Sequence, residues 1–288
     1  MVVSLCWVSE LSGYLLRHLI LSFISVCLAT AMTANAELAV DNKPSDNCLK
    51  QELNLTTPSL ELKNVDEAPR TNSQRELTVS NWWSQQCPEF ERQAVRRYRQ
   101  HNLICRIPGK SEQTLVVGAH YDKVSEGYGV ADNWSGIVML DYLSRYFATT
   151  EPDLTIEFVA FAAEEDGLFG SKAYVDQNTK PITAMINLDT IGLGSLVVDG
   201  GSDSVLMCQA ECIAEQLGYP ITVQTWREVS SDWERFAKKG IPAIGIHSVT
   251  KRTVRRIHHR RDKAGNVDLD RLHEALKLAK NLIDQNVH

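Results

Sequence analysis

From Thr114 onward, short apolar runs alternate with segments whose apolar residues recur every three or four positions. The runs Thr114–Ala119, Thr155–Ala162, Ala184–Leu188, Leu196–Val198, Ile221–Thr225 and Pro242–Ile246 predict strands. The segments Gly136–Phe147, Ser171–Gln177, Ser204–Leu217, Asp232–Lys238 and Asp268–Asp284 predict helices. Strands that are apolar almost throughout must be covered on both faces, as in a parallel sheet between two helical layers. The fold class is therefore α/β, a three-layer αβα sandwich with a mixed, largely parallel central sheet.

Upstream the pattern differs. Between Gln74 and His101 the spacing of Leu77, Trp82, Trp83, Phe90, Ala94, Val95 and Tyr98 predicts helices interrupted at Pro88. Residues 37–73 are mostly polar, include Pro44, Pro58 and Pro69, and read as an irregular arm. Before the arm, Arg17 and His18 precede an apolar run from Leu19 to Ala31, followed by Ala34-Asn35-Ala36 with small residues where a signal peptidase cuts. A signal peptide over 1–36 is expected, cleaved after Ala36. Its core of about 13 residues falls short of the roughly 20 that span a bilayer, so no stable membrane association is expected after cleavage. A periplasmic or secreted location follows from this reading. The remaining 74–288 fits a single domain.

Composition narrows the picture in two ways. The formal net charge of −6 argues against a nucleic-acid partner. Cys48, Cys87, Cys105, Cys208 and Cys212 would remain after cleavage, enough for two disulfides and one leftover thiol in an oxidising compartment. Their pairing is open, and Cys208 and Cys212 could bridge only if their helix is distorted.

In an open α/β sheet, ligands gather beyond the carboxyl ends of the strands. Here Leu115–Ala119 ends in His120-Tyr121-Asp122, the run through Phe158–Phe161 ends in Glu164-Glu165, and Met185–Leu188 ends in Asp189. Imidazole and carboxylate without thiolate is the donor set of a hydrolytic divalent-metal site rather than a structural zinc site. Neighbouring Glu164 and Glu165, in extended backbone, would point different ways, leaving one to bind metal and the other free to move a proton.

Five motifs in order then carry a family resemblance: Gly118-Ala119-His120-Tyr121-Asp122, Ala131-Asp132-Asn133-Trp134-Ser135-Gly136, Glu164-Glu165 followed by Gly167-Leu168 and Gly170-Ser171, Asn187-Leu188-Asp189 with Gly192, and His258 four residues before Asp262. The chain resembles the secreted dizinc aminopeptidases related to bacterial leucyl aminopeptidase, aminopeptidase Y and glutamate carboxypeptidase. The resemblance implies two Zn2+ per chain, with Asp132 bridging them, His120 and Asp189 completing one, and Glu165 and His258 the other. It implies Glu164 as catalytic base, Asp122 behind His120 orienting its imidazole, and a cis peptide bond after Asp132. Two metals about 3.5–4 Å apart can share one water, lower its pKa and polarise a scissile carbonyl. The implied activity is removal of N-terminal residues from peptides. Glutamate-type carboxypeptidase action, a glutaminyl cyclase with one zinc, and a non-catalytic binding domain on the same fold are the alternatives.

Two features depart from the resemblance. Ser231-Asp232 is followed by Trp233 where many relatives carry histidine. The segment from Lys251 to Lys263 has Lys or Arg at 251, 252, 255, 256, 260, 261 and 263 against one acid, Asp262. It is either a solvated face or, through some of Lys251, Arg252, Arg255 and Arg256, a cleft wall favouring peptides with acidic groups. His259, beside His258, is expected to be exposed, and Tyr128 and Trp226 are candidate pocket walls.

Overall fold

The computed structural model describes Leu53 and residues 63–219, 221–225 and 230–288. The expected signal peptide, most of the expected arm, Cys48 and the loop Trp226–Val229 lie outside the described residues.

A single helical turn, α1 (Lys63–Asp66), precedes α2 (Asn72–Gln86), which starts where Thr71 Oγ1 accepts the Gln74 N–H at 3.2 Å. Pro88 then ends helical structure, but the expected second helix does not form. Residues 89–107 instead fold as an antiparallel hairpin, β1 (Glu89–Ala94) and β2 (His101–Ile107), with Phe90 opposite Cys105. The spacing of Phe90, Ala94, Val95 and Tyr98 misled because apolar period alone does not weigh an open sheet edge. β2 pairs antiparallel with β4 (Leu154–Phe161) and buries Leu103, Ile104 and Cys105, a gain no surface helix offers. Cys87 and Cys105 form a disulfide joining α2 to β2 across a sequence separation of 18, a closure worth roughly 3 kcal/mol. Cys208 is free and exposed while Cys212 is disulfide-bonded, so the two do not bridge each other.

The rest follows the alternation in the sequence: β3 (Ser111–His120), a π-helical turn at Val130–Trp134, α3 (Ser135–Phe147), β4, α4 (Phe169–Gln177), β5 (Ile182–Leu188) and β6 (Val197–Asp199). Then come α5 (Ser204–Leu217), β7 (Thr222–Gln224), α6 (Trp233–Ala237), β8 (Ala243–His247), a 3-10 turn at Ala264–Asn266 and α7 (Leu269–Val287). The eight strands make one sheet in the order β1-β2-β4-β3-β5-β8-β6-β7. The central four, β4, β3, β5 and β8, are mutually parallel, and the antiparallel pairs lie towards the edges.

Strand side chains alternate between faces, which builds the layers. Leu115, Val117 and Ala119 of β3 join the larger core with α2, α3, α5 and α7, while Val116 joins the smaller core of Tyr174 and Phe236 with α4 and α6. Because the central strands run parallel, the ends of β3, β4, β5 and β8 meet at one edge of the sheet. Among the described residues, no helix is long and apolar enough to cross a membrane.

Candidate metal centre

At that edge the structure brings together the five expected metal ligands and Glu164. His120 ends β3 and is buried, Glu164 and Glu165 follow β4, Asp189 follows β5, Asp132 lies in the π-helical turn before α3, and His258 lies in the loop after β8. The contacts divide around one carboxylate. Asp132 Oδ1 is 3.3 Å from His120 Nε2, and that nitrogen is 3.4 Å from Asp189 Oδ1. Asp132 Oδ2 is 3.1 Å from His258 Nε2, and that nitrogen is 2.9 Å from Glu165 Oε2. One aspartate thus turns an oxygen to each of two His–carboxylate pairs. Glu164 is farther off, its Oε2 3.9 Å from His120 Nε2, although it too falls within 4.8 Å of His120 and Asp189. By proximity alone His120, Asp132 and Glu165 also fall within 4.8 Å of one another, but the shorter contacts favour the division just given.

The backbone that holds these groups is under local constraint. Ala163, Thr190 and His258 have φ of 53°, 56° and 52°, in the left-handed region that costs a non-glycine residue about 1–3 kcal/mol. The glutamates therefore sit in a turn, closed by Gly167 N–H donating to Glu164 O at 2.8 Å, and not in the extended backbone expected. They diverge because the Ala163 turn re-aims the chain. The Asp132–Asn133 peptide bond is cis, as the resemblance implied. Asn133 ties this bond to β5, its Nδ2 donating to Leu188 O and its Oδ1 accepting from Thr190 N–H. Gly136 permits the approach, since a Cβ there would lie 2.6 Å from Leu188 O.

Asp122 does more than stand behind the histidine. His120 Nδ1 lies 3.1 Å from the Asp122 backbone carbonyl and 3.7 Å from its carboxylate, so the carbonyl is the nearer acceptor. The carboxylate instead accepts the N–H groups of Glu164 and Glu165, both at 3.1 Å. Asp122 is a positioning residue for three neighbours at once. Asp122→Asn, which puts an NH2 against one of those N–H donors, is expected to lower kcat/KM about 10–100-fold with the fold retained, measured on any hydrolysed substrate.

Four positioning side chains gave no clear signal in the sequence. Asp262, used above only for spacing, is buried and accepts the N–H groups of Val130, Ala131 and Asp132. Ser231 Oγ donates to Asp189 Oδ2 at 2.6 Å, and Thr190 Oγ1 donates to Asp189 Oδ1 at 2.9 Å. Arg75, on α2, is fully buried and donates to the carbonyls of Pro69, Tyr121, Tyr128 and Gly129. Burial lowers its pKa to about 10, opposed by Asp262 and Asp132, so it stays charged at neutral pH.

Electrostatics make the centre short of positive charge. Burial raises Glu164 well above the ordinary carboxylate range and raises Glu165, and it lifts the fully buried Asp232 to about 7. Asp132 moves the other way. Its burial is outweighed by hydrogen bonds from both histidines, and hydrogen bonds to Asp132 and Glu165 lift His258 to about 10. Glu165 Oε1 is buried with no hydrogen-bond partner, an orphan that a metal would satisfy. The residues fit a divalent cation with nitrogen and oxygen ligands.

The cleft over these groups has a volume of about 470 Å3 and is walled by Leu168, Trp233, Val249, Val254 and Ile257. Trp233, where a histidine was noted as usual, packs on Gly245, at which a Cβ would come within 2.6 Å of the indole. Among the described residues no Lys or Arg lines the cleft, so the cleft-wall alternative for the basic segment is not met. Lys251, Arg252 and Arg256 line a separate cavity instead, and Arg255 is exposed and lines neither. His259 is exposed as expected. Tyr128 is not in the cleft wall, because its ring lies under the Arg70 guanidinium, 4.4 Å away. Trp226 lies outside the described residues.

Comparison with known proteins now decides the family. A match described as "Peptidase family M28" covers residues 102–283, well over half of the chain. The chain belongs to peptidase family M28. A zinc aminopeptidase from Bacillus subtilis shares the fold at 26% identity and a TM-score of 0.60, over 65% of this chain and 50% of that one. Leucine aminopeptidase 1 from Leptosphaeria maculans is 28% identical over 64% of this chain and 55% of its own length. A vacuolar membrane protease from Schizosaccharomyces pombe is 35% identical over 32% of this chain and 11% of its length. The chain thus spans about half or less of the length of these relatives. The last relative overturns the periplasmic or secreted location. M28 relatives this similar are named for a vacuolar membrane, and the address had been read from an apolar run that lies outside the described residues.

Proposed function

We propose that this M28 member is a zinc-dependent exopeptidase that removes N-terminal residues from peptides, working through two zinc ions. The observation that carries the proposal is the Asp132 carboxylate, which offers Oδ1 to the His120–Asp189 pair and Oδ2 to the His258–Glu165 pair. His120, Asp189 and Asp132 Oδ1 would hold one ion, and His258, Glu165 and Asp132 Oδ2 the other. Bound zinc supplies Lewis acidity, polarising the scissile carbonyl and lowering the pKa of the attacking water towards neutrality.

The protein's own part is orientation and proton transfer. Glu164 is buried beside the ligands without being one of the two pairs, placed to take a proton from the water and give it to the leaving amine. The apolar wall of Leu168, Trp233, Val249, Val254 and Ile257 accepts an uncharged side chain and excludes water around the reacting bond. The acidic floor suits an N-terminal ammonium.

Leucine amides with free and acetylated N-termini, tested beside peptides with N-terminal glutamine, separate the readings. Hydrolysis of the free amides that acetylation abolishes is the expected result. Ammonia release from glutamine peptides without hydrolysis would instead favour the cyclase.

A further inference from the structure

Beside the metal cleft lies a second cavity of about 930 Å3 that the mechanism leaves unused. Its described lining includes Lys251, Arg252 and Arg256 and no acidic residue. None of these three cations has an ion-pair partner among the described residues. The acid of their own segment, Asp262, is occupied by the N–H groups of residues 130–132.

The cavity and the cleft share their walls. The segment after β8 turns Val254 and Ile257 to the cleft and Lys251, Arg252 and Arg256 to the cavity, and the loop after β5 gives Asp189 and Thr190 to one and Leu193, Gly194 and Ser195 to the other. The two loops are fastened together. Thr253 is buried, accepts the Thr250 N–H at 2.8 Å and donates to Ser248 O at 3.2 Å. Ser248 N–H donates to Thr190 O at 2.9 Å, and Ser248 Oγ accepts the Gly192 N–H at 3.2 Å. The cations thus sit on a backbone braced against the Asp189 loop.

We infer that this cavity binds a carboxylate of the substrate peptide downstream of the cleaved bond. It is a basic, anion-binding subsite paired with the acidic cleft that receives the ammonium. The inference rests on the proposed aminopeptidase reading and adds the substrate class, short peptides carrying a carboxylate. That carboxylate comes from the C-terminus or from an acidic side chain, and an extended chain advances about 3.3–3.6 Å per residue, so peptide length decides which one reaches. Opposite charge at each end selects such peptides over uncharged ones, mainly through binding.

The test compares leucine followed by one to three alanines, as free acids and as C-terminal amides, together with Leu-Ala-Glu-amide and Leu-Ala-Gln-amide. At the best length the wild-type protein should favour the carboxylate member about tenfold in kcat/KM, through KM, the combined worth of three partly exposed cations. Lys251→Gln/Arg252→Gln/Arg256→Gln should bring that ratio to about one with the neutral amides unaffected, and Arg255→Gln should leave it unchanged. The free-acid series responding alone identifies the C-terminus as the source, and the Glu/Gln pair responding identifies a side chain. Amides hydrolysed with no carboxylate preference, or a preference surviving in the triple variant, would overturn this inference and leave the aminopeptidase reading standing. No hydrolysis of any member would remove both.

Discussion

Glu164→Gln is expected to lower kcat about a thousandfold while zinc content and fold stay as in the wild type. The substitution keeps shape and removes only the ability to accept a proton. Glu164 does not belong to either His–carboxylate pair around Asp132, so losing its charge should not empty the site. Its backbone N–H still donates to Asp122, which keeps the turn in place. Kinetics on a leucine amide, beside elemental analysis of the same sample, checks both halves. Loss of zinc together with activity would mean that Glu164 is a ligand, and near-normal kcat would remove it as the base.

Arg75→Met is the largest expected effect on stability. The variant fills similar volume but leaves the carbonyls of Pro69, Tyr121, Tyr128 and Gly129 without their donors, at a cost of about 4 kcal/mol for the set. For a domain of this size that corresponds to a fall of about 10 °C in Tm. Tyr128 and Gly129 lead directly into the turn that carries Asp132, so zinc affinity should weaken about tenfold as well. Thermal unfolding and competition with a chelator measure the two effects. Arg75→Lys should recover only part of each, because one ammonium cannot reach four carbonyls in different directions. A Tm within about 2 °C of wild type would show that the guanidinium is not the brace described.

What could be read from the sequence depended on how local the signal was. Strands β3, β4, β5 and β8 carry their burial on both faces, so their apolar runs showed directly, and the polar residues after β3, β4 and β5 led to His120, Glu164, Glu165 and Asp189. Asp132 and His258 came only with the resemblance, since neither ends a strand. The hairpin β1–β2 was misread because its stability comes from pairing with β4, a partner some fifty residues away in sequence that periodicity does not sense. Arg75 was invisible for a related reason. A single arginine on a polar helix reads as solvated, and only the folded loops at Tyr121 and Gly129 bury it. The basic segment was noticed but its facing stayed open, because residues of one loop face two different cavities.

In the mechanism we propose, Asp132 divides its carboxylate between two zinc ions that drive peptide hydrolysis. Zinc per chain should be measured by elemental analysis on the purified protein, with release of leucine from a leucine amide followed before and after chelation and on adding zinc back. Two zinc ions per chain are expected, with activity lost on chelation and restored by zinc. A protein that hydrolyses the amide undiminished after its metal has been removed would contradict it.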